Sequence, residues 1–173
     1  MSDSLNITIE VPCVWHRAVD RMSISENILL LRVLALLETK SSSRDEHINQ
    51  ENSRLLALEA RLDLCLQLLG RLLHPQPLLP PVALTLSSEQ ASWHSKEVLV
   101  RQTQGCLAIY WSSQLPQPLL LPAIIDNCQA ERQGWRIHAT FIIEDEELQN
   151  WFDKTIFRYH RHQIMQRHQH EHP

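Results

Sequence analysis

The segment Ile48–Leu73 carries the strongest pattern of apolar positions in the chain. Apolar residues recur there at heptad spacing in two interleaved series, which only Glu51 interrupts. The residues of this heptad seam are Ile48, Leu55, Leu58, Leu62, Cys65, Leu69 and Leu72. Such spacing is typical of helices that pack knobs-into-holes in a coiled coil. Further leucines lie outside the seam, which predicts a second apolar face and more than one neighbouring helix.

We therefore predict that the heptad seam is an oligomer interface. The alternative is a single long helix buried in a monomeric core. The chain after Pro81 is too short to cover two apolar faces of such a helix. Exposed apolar patches of that size are unusual in monomers, so self-assembly is the favoured interpretation.

Two shorter elements precede the heptad helix. Apolar and polar residues alternate over Leu5–Val11, which predicts a strand that ends at Pro12. Ser23 and Glu26 have the spacing of a capping box, and a helix is predicted from there to about Glu38. This helix is apolar on almost every side, so we expect it to be buried against the heptad helix or its copies in other subunits.

The sequence is compatible with two ways of connecting these two helices. Ser43 and Glu46 form a second capping box, which favours a separate helix over 44–73. However, leucines of the first helix are in heptad phase with the seam, and no Gly or Pro intervenes, which is consistent with one continuous helix. We favour two helices, over 26–38 and 44–73.

Proline residues within 74–81 end the helical pattern. We place a boundary there, between an N-terminal segment with oligomerisation helices (1–80) and a β-rich domain (81–173). Short apolar segments separated by turn residues predict a small antiparallel β-barrel. These segments are Val82–Leu86, Ala91–His94, Val98–Gln102, Cys106–Trp111, Leu119–Cys128 and Gly134–Ile143.

A last helix is predicted after Glu147, with one apolar face packed on the barrel. The Arg- and His-rich end of this helix is expected to fray into solvent. The predicted fold class is therefore α+β. Long N-terminal heptad helices, in a bundle or coiled coil, are followed by a small antiparallel barrel and a C-terminal helix.

Charge and composition narrow the classes of function. With 16 Lys and Arg against 20 Asp and Glu, the net charge is −4, so bulk attraction to nucleic acid or an anionic membrane is not expected. The apolar run Ile28–Leu37 is too short to span a bilayer and contains Arg32. No signal-peptide pattern begins the sequence and the cysteines are not closely spaced, so we expect a cytoplasmic protein with reduced thiols.

Candidate catalytic and metal-binding groups have simpler structural explanations. His168, His170 and His172 alternate, so on a helix they project in different directions, as solvated side chains rather than metal ligands. The carboxylates of Asp145–Glu147 lie where a helix dipole favours negative charge. No set of nucleophile, base and oxyanion donors is assembled. We expect no enzyme activity, no metal site and no resident cofactor.

Four runs in the second half of the chain occur together in one known family. They are LTLSSEQASW (Leu84–Trp93), QPLLLPAII (Gln117–Ile125), GWRIHATF (Gly134–Phe141) and IFRYHRHQI (Ile156–Ile164). In this order they resemble a PilZ domain, and in particular the atypical PilZ-like proteins of bacteria that assemble as tetramers through long heptad helices. The resemblance implies a PilZ-like barrel, a homotetramer and cyclic di-GMP signalling. It also implies a role in motility, type IV pilus function or virulence, through an unidentified protein partner.

The resemblance also identifies candidate ligand-binding residues. Typical PilZ domains bind cyclic di-GMP through Arg-x-x-x-Arg before the barrel and Asp/Asn-x-Ser-x-x-Gly on an early strand, because guanidinium groups bind phosphates and guanine edges. In TLSSEQ, Ser87 matches, whereas Thr85 and Gln90 replace the Asp/Asn and the Gly. Before the barrel only Arg71 is present, with Pro75 four residues later. Arg71 and Ser87 are the remaining candidates. We expect a regulatory scaffold that does not bind cyclic di-GMP, and a receptor with a degenerate site is the alternative.

Overall fold

The computed structural model describes residues 5–17, 23–42, 62, 79–112, 115 and 117–170. The strands are β1 (Ile7–Val11), β2 (Cys13–His16), β3 (Val82–Leu86), β4 (Gln90–Ser95), β5 (Gln104–Ile109), β6 (Leu119–Glu131) and β7 (Gly134–Phe141). The helices are α1 (Ile24–Ser42) and α2 (Glu146–His170). The predicted heptad helix over 44–73 lies outside the described residues except for Leu62. The residues that would show whether this helix is continuous with the first one are also outside the described ranges.

Seven antiparallel strands form one sheet, in the order β1-β3-β4-β7-β6-β5-β2. The two outermost strands, β1 and β2, are separated in sequence only by Pro12. Proline has no N–H to donate, but its carbonyl accepts a hydrogen bond from the N–H of Tyr110 at 3.0 Å, beside β5. At Pro12 the chain therefore changes from pairing with β3 to pairing with β5. This change brings the two edges of the sheet close together.

The predicted closed barrel is corrected to a half-barrel. β1 pairs with β3 and β2 pairs with β5, and neither strand pairs with the other, so a break in the hydrogen-bond ladder remains between them. β1 and β2, within residues 7–16, contribute to this sheet, which is therefore not confined to residues 81–173. The division of the chain at residue 80 itself stays a prediction.

Most of the predicted strands are confirmed, and one is wrong. β1 and the strands β3 to β7 correspond to predicted segments, and β2 was missed. The segment Val98–Gln102 is a loop in which only Leu99 is buried, while Val98 and Val100 are exposed. Gln102 has a positive φ of 62°, which L-residues rarely adopt and which ends any strand geometry there. The apolar run reflects one anchoring leucine rather than strand pairing.

The concave face of the half-barrel holds the core, and α2 packs into it. Alternate residues of each strand point inward, and they meet Leu148, Phe152 and Ile156 of α2. Phe141 and Phe152 pack edge to face, with ring centroids 5.4 Å apart. The prediction that the last helix packs on the sheet by one face is confirmed. α2 continues to His170, and the expected fraying of its end stays a prediction.

Helix α1 begins as the capping box predicts, with the N–H of Glu26 donating to Ser23 Oγ at 3.3 Å. Its buried face packs against β6 and α2 and adds Ile28, Leu31 and Leu34 to the core. The half-barrel covers this face of α1, whereas the expected packing of α1 against the heptad helix or its copies lies outside the described residues and stays a prediction. On the opposite side Leu29 is 60% exposed.

Asn27 joins α1 to the sheet where β7 ends. The last residue of β7 is paired with Ala123, so the start of β6 has no strand partner on that side. The Asn27 amide fills this position: its Nδ2 donates to the carbonyl of Leu120 at 2.7 Å, and the N–H of Leu120 donates to its Oδ1 at 3.0 Å. A side-chain amide offers one donor and one acceptor group, as a paired strand residue does.

Replacement of Asn27 by alanine should therefore destabilise the fold. Asn27 is 2% exposed, so the substitution would leave the main-chain N–H and carbonyl of Leu120 without these partners. We expect the free energy of unfolding to fall by about 2–4 kcal/mol, measured by urea denaturation. Ser25→Ala, on an exposed position of the same helix, is the control and should change it by less than about 0.5 kcal/mol. Equal effects of the two variants would contradict the role assigned to Asn27.

Candidate functional site

The convex face of the sheet carries a row of polar residues in register. Thr8, Thr85, Ser92, His138 and Asn127 are successive partners across β1, β3, β4, β7 and β6. They occupy the positions that alternate with the buried core residues, which is why they point outward. The hydroxyls of Thr8 and Thr85 lie 3.2 Å apart and are hydrogen-bonded.

A cavity of about 620 Å³, here called the outer-face cavity, opens on this row. Its lining includes Thr85, Ser87 and Gln90, which are the three informative positions of the TLSSEQ run. His138 and Thr140 of β7 and one residue of β6, Asp126, also line it. The structure therefore places the predicted motif at a cavity.

Asp126 is the single carboxylate of this cavity, and no Lys or Arg lines it among the described residues. Pairing between β6 and β7 shifts register between Ile125 and Asn127, so Asp126 lies on a bulge. Its Oδ2 accepts a hydrogen bond from the Thr140 hydroxyl at 2.7 Å. Arg101 donates from Nε to the main-chain carbonyl of Asp126 at 2.9 Å, but does not line the cavity.

The hydroxyl of Ser87 is engaged within its own turn. Ser87 is 5% exposed, and its Oγ accepts hydrogen bonds from the N–H groups of Gln90 at 2.9 Å and Glu89 at 3.3 Å. Its own N–H donates to the carbonyl of Gln90 at 2.8 Å. These bonds close the turn between β3 and β4, so the serine of the motif has a structural role here. A role for Ser87 in ligand binding stays a prediction.

The other predicted site residues fall largely outside the described part of the chain. Arg71, the second ligand-binding candidate, lies there, as do the seam residues Ile48, Leu55, Leu58, Cys65, Leu69 and Leu72. Leu62 is described, and it is 56% exposed in the single chain. Its place in an oligomer interface also stays a prediction.

Sequence reasoning missed Asp126 and Thr140. The alternation along GWRIHATF indicates that His138 and Thr140 share the outward face of β7, so a signal for these two exists. Asp126 lies on a bulge, and a bulge changes which face a residue points to without a mark in the apolar pattern. The acidic residue of the cavity therefore could not be placed from the sequence.

The described cysteines, Cys13, Cys106 and Cys128, are free thiols. Burial raises the pKa of Cys13 to about 12 and that of Cys106 to about 11, which keeps both in the unreactive thiol form. Within the described ranges, no three His, Cys, Asp or Glu side chains are grouped to hold a metal ion. None of the helices described there is both long and apolar enough to cross a membrane.

Comparison with known proteins identifies relatives of this fold. The family described as "Atypical PilZ domain, cyclic di-GMP receptor" matches residues 31–169. Among solved structures, the chain is similar to a pathogenic protein from Xanthomonas campestris, described as a new tetrameric PilZ domain self-assembled via an unusual helical bundle. The two are 26% identical, with a TM-score of 0.77 over 95% of this chain and 93% of that one. No curated protein sequence matches the chain.

The family match covers most of the chain, including β3 to β7, the turn at Ser87 and most of α2. The resemblance seen in the four sequence runs is thereby confirmed. The chain belongs to the atypical PilZ domain family, a family of cyclic di-GMP receptors.

Proposed function

We propose that this PilZ protein is a non-enzymatic regulatory scaffold of the bacterial cytoplasm. It assembles as a homotetramer through its heptad seam and presents its half-barrels to a protein partner. The process it serves is motility, type IV pilus function or virulence. It acts without bound cyclic di-GMP and without another cofactor.

The chemistry of the outer-face cavity is the observation that carries this proposal. Cyclic di-GMP is a dianion, and PilZ sites hold it with arginine guanidinium groups. Here the described wall contains the carboxylate of Asp126 and no Lys or Arg, so it offers phosphate no guanidinium or ammonium group. The hydroxyl of Ser87 is already the acceptor for two main-chain N–H groups. The cavity lies at the TLSSEQ run that resembles the PilZ motif, and its described lining contains no Lys or Arg.

The apolar surface of the chain supports self-assembly. Leu62 of the seam and Leu29 of α1 are 56% and 60% exposed in the single chain. Large side chains of this kind are commonly covered by a partner when they occur in a regular seam. The similar protein from Xanthomonas campestris is described as self-assembled via a helical bundle, and it aligns with nearly the whole chain.

A cyclic di-GMP receptor with a degenerate site is the second candidate. The family is described by that activity, and the outer-face cavity lies at the matching motif. Arginines outside the described residues, Arg71 first among them, would then have to supply the cations. This alternative makes a different prediction in a direct binding measurement.

Titration calorimetry of the full chain with cyclic di-GMP separates the two candidates. We expect no saturable heat at micromolar nucleotide, because an acidic wall without arginine cannot compensate the two phosphate charges. Saturable heat that disappears in Arg71→Ala would favour the receptor. Arg61→Ala, which removes an arginine earlier in the same predicted helix, is the matched control for that variant.

The structural role of Ser87 is tested by Ser87→Ala. Loss of the Oγ acceptor leaves the N–H groups of Gln90 and Glu89 without it, so we expect the free energy of unfolding to fall by about 1–2 kcal/mol. Ser88→Ala is the control, since no hydrogen bond of the Ser88 hydroxyl occurs in the described structure, and its effect should stay below about 0.5 kcal/mol. Urea denaturation measures both. An unchanged stability of Ser87→Ala would leave ligand binding as the better explanation for this serine.

The assembly is tested by Leu62→Asp. A carboxylate in the apolar seam would be buried without a partner. The free-energy cost of burying it, on the order of several kcal/mol, opposes association. We expect the tetramer to dissociate, as measured by sedimentation equilibrium. Ala60→Asp introduces the same charge two residues earlier, outside the seam, and should leave the mass unchanged. A wild-type chain that sediments as a monomer at micromolar concentration would contradict the proposed assembly.

A further inference from the structure

Helix α2 exposes apolar and basic side chains on the side that faces away from the core. Phe157, Ile164 and Met165 are 57%, 41% and 50% exposed, and Lys154 and Arg161 are exposed beside them. Positions 154, 157, 161 and 164 lie along one side of the helix because they are three and four residues apart. These five residues are here called the basic-apolar stripe.

The stripe lacks negative charge, although the chain as a whole is acidic. Residues 154–170 include Lys and Arg but no Asp or Glu, whereas the net charge of the chain is −4. The carboxylate that precedes them, Asp153, accepts a hydrogen bond from Gln149 at 2.6 Å. Neither Lys154 nor Arg161 forms an ion pair with another described residue. Both precede the last turn of α2, where the helix dipole stabilises cations, so helix stability alone does not account for them.

We propose that the basic-apolar stripe binds a helix of a partner protein that carries carboxylates and leucine-type side chains in alternation along one face. This inference rests on the proposed function, for which a protein partner is needed, and it names the chemistry of that partner. A helix presents about one side chain per turn, every ~5.4 Å, on its contact face. Basic and apolar residues alternate along the stripe at the same interval. Carboxylates of the partner therefore meet the cations, and its apolar side chains cover the exposed apolar ones.

Two other occupants fit the stripe less well. A two-fold contact with a second copy would place the cations of one stripe against those of the other, with no carboxylate on either stripe. A helix that binds a lipid surface has a continuous apolar side with its cations on the polar side, whereas Arg161 stands between Phe157 and Ile164. The net charge of −4 also opposes approach to an anionic membrane.

The probe is a fluorescein-labelled helical peptide of about 18 residues, with Glu and Leu alternating along one face and Ala and Gln elsewhere. Titration with the full chain, followed by fluorescence anisotropy, should show saturable binding. A peptide with Gln in place of each Glu should bind at least about tenfold more weakly, because the charge pairs are lost. A peptide with Ser in place of each Leu should also bind at least about tenfold more weakly, because the apolar contact is lost.

Two variants of the stripe have matched controls elsewhere on the surface. Phe157→Ser should weaken binding of the Glu peptide about tenfold, and Arg161→Gln about threefold to tenfold. Val98→Ser removes an apolar side chain of nearly equal exposure, 55%, from the loop between β4 and β5. Arg132→Gln removes an exposed arginine from the turn between β6 and β7. Both control variants should bind the Glu peptide as the wild-type chain does.

The absence of saturable binding, equal affinity for the Glu and Gln peptides, or equal losses in a stripe variant and its control would each overturn the proposal. A lower mass of Phe157→Ser in sedimentation equilibrium would assign the stripe to a contact between copies of the chain, and would overturn it as well. Cosedimentation with phosphatidylserine vesicles that is lost in Phe157→Ser would assign the stripe to a lipid surface, with the same consequence.

Calorimetry with cyclic di-GMP on the same sample keeps the two proposals apart. If the nucleotide binds and the Glu peptide also binds as predicted, the proposed function fails and the docking surface stands. If neither binds to a tetrameric chain, the proposed function stands and the docking surface fails.

Discussion

The structure depends on one constraint: the two edge strands of the sheet are consecutive in the chain and share a single connecting residue. Pro12 can accept from Tyr110 but cannot donate, so the ladder with β3 ends where the ladder with β5 begins. A sheet whose edges meet at one residue must curve. The curvature creates a concave face that α2 can fill with Leu148, Phe152 and Ile156, and a convex face that meets solvent. Core and site are therefore on opposite faces of the same strands.

The remaining free edges are covered by side-chain amides from the two helices. Asn27 of α1 pairs with Leu120 where β7 has ended, and Gln163 of α2 donates to the carbonyl of Thr8 on β1 at 2.7 Å. An open edge would otherwise offer unpaired main-chain groups to another strand. The helices are tied to each other by the ion pair of Arg32 with Glu147, an exposed pair that contributes little to stability by itself. The amide bonds thus add fixed points to the apolar packing that places both helices on the sheet.

The sequence predicts the parts of this fold that follow from local pattern. Alternation located β1 and β3 to β7, and the capping box located the start of α1, because side-chain periodicity is a local consequence of strand and helix geometry. The predictions that failed concern features that depend on contacts between residues far apart in the sequence. β2 is too short to show a period, and Leu99 made Val98–Gln102 look like a strand although it only anchors a loop. Ser87 could be placed at the site by its motif, whereas Asp126 could not, because a bulge follows from pairing between strands. The heptad helix falls on residues that the structure does not describe.

The division between faces explains how a PilZ fold can lose its usual ligand chemistry without losing its structure. Thr85 and Gln90, which stand where the family motif has an acid or amide and a glycine, lie at the convex face and contribute no buried side chain to the core. Ser87, which keeps the family residue, is the member of the motif whose hydroxyl closes the turn between β3 and β4. The side chains of Thr85 and Gln90 take no part in closing this turn, so the fold places fewer constraints on these two positions. Among the described residues no Lys or Arg lines the cavity and Asp126 is its single carboxylate, so the chemistry of this wall differs from a set of guanidinium groups that binds phosphate.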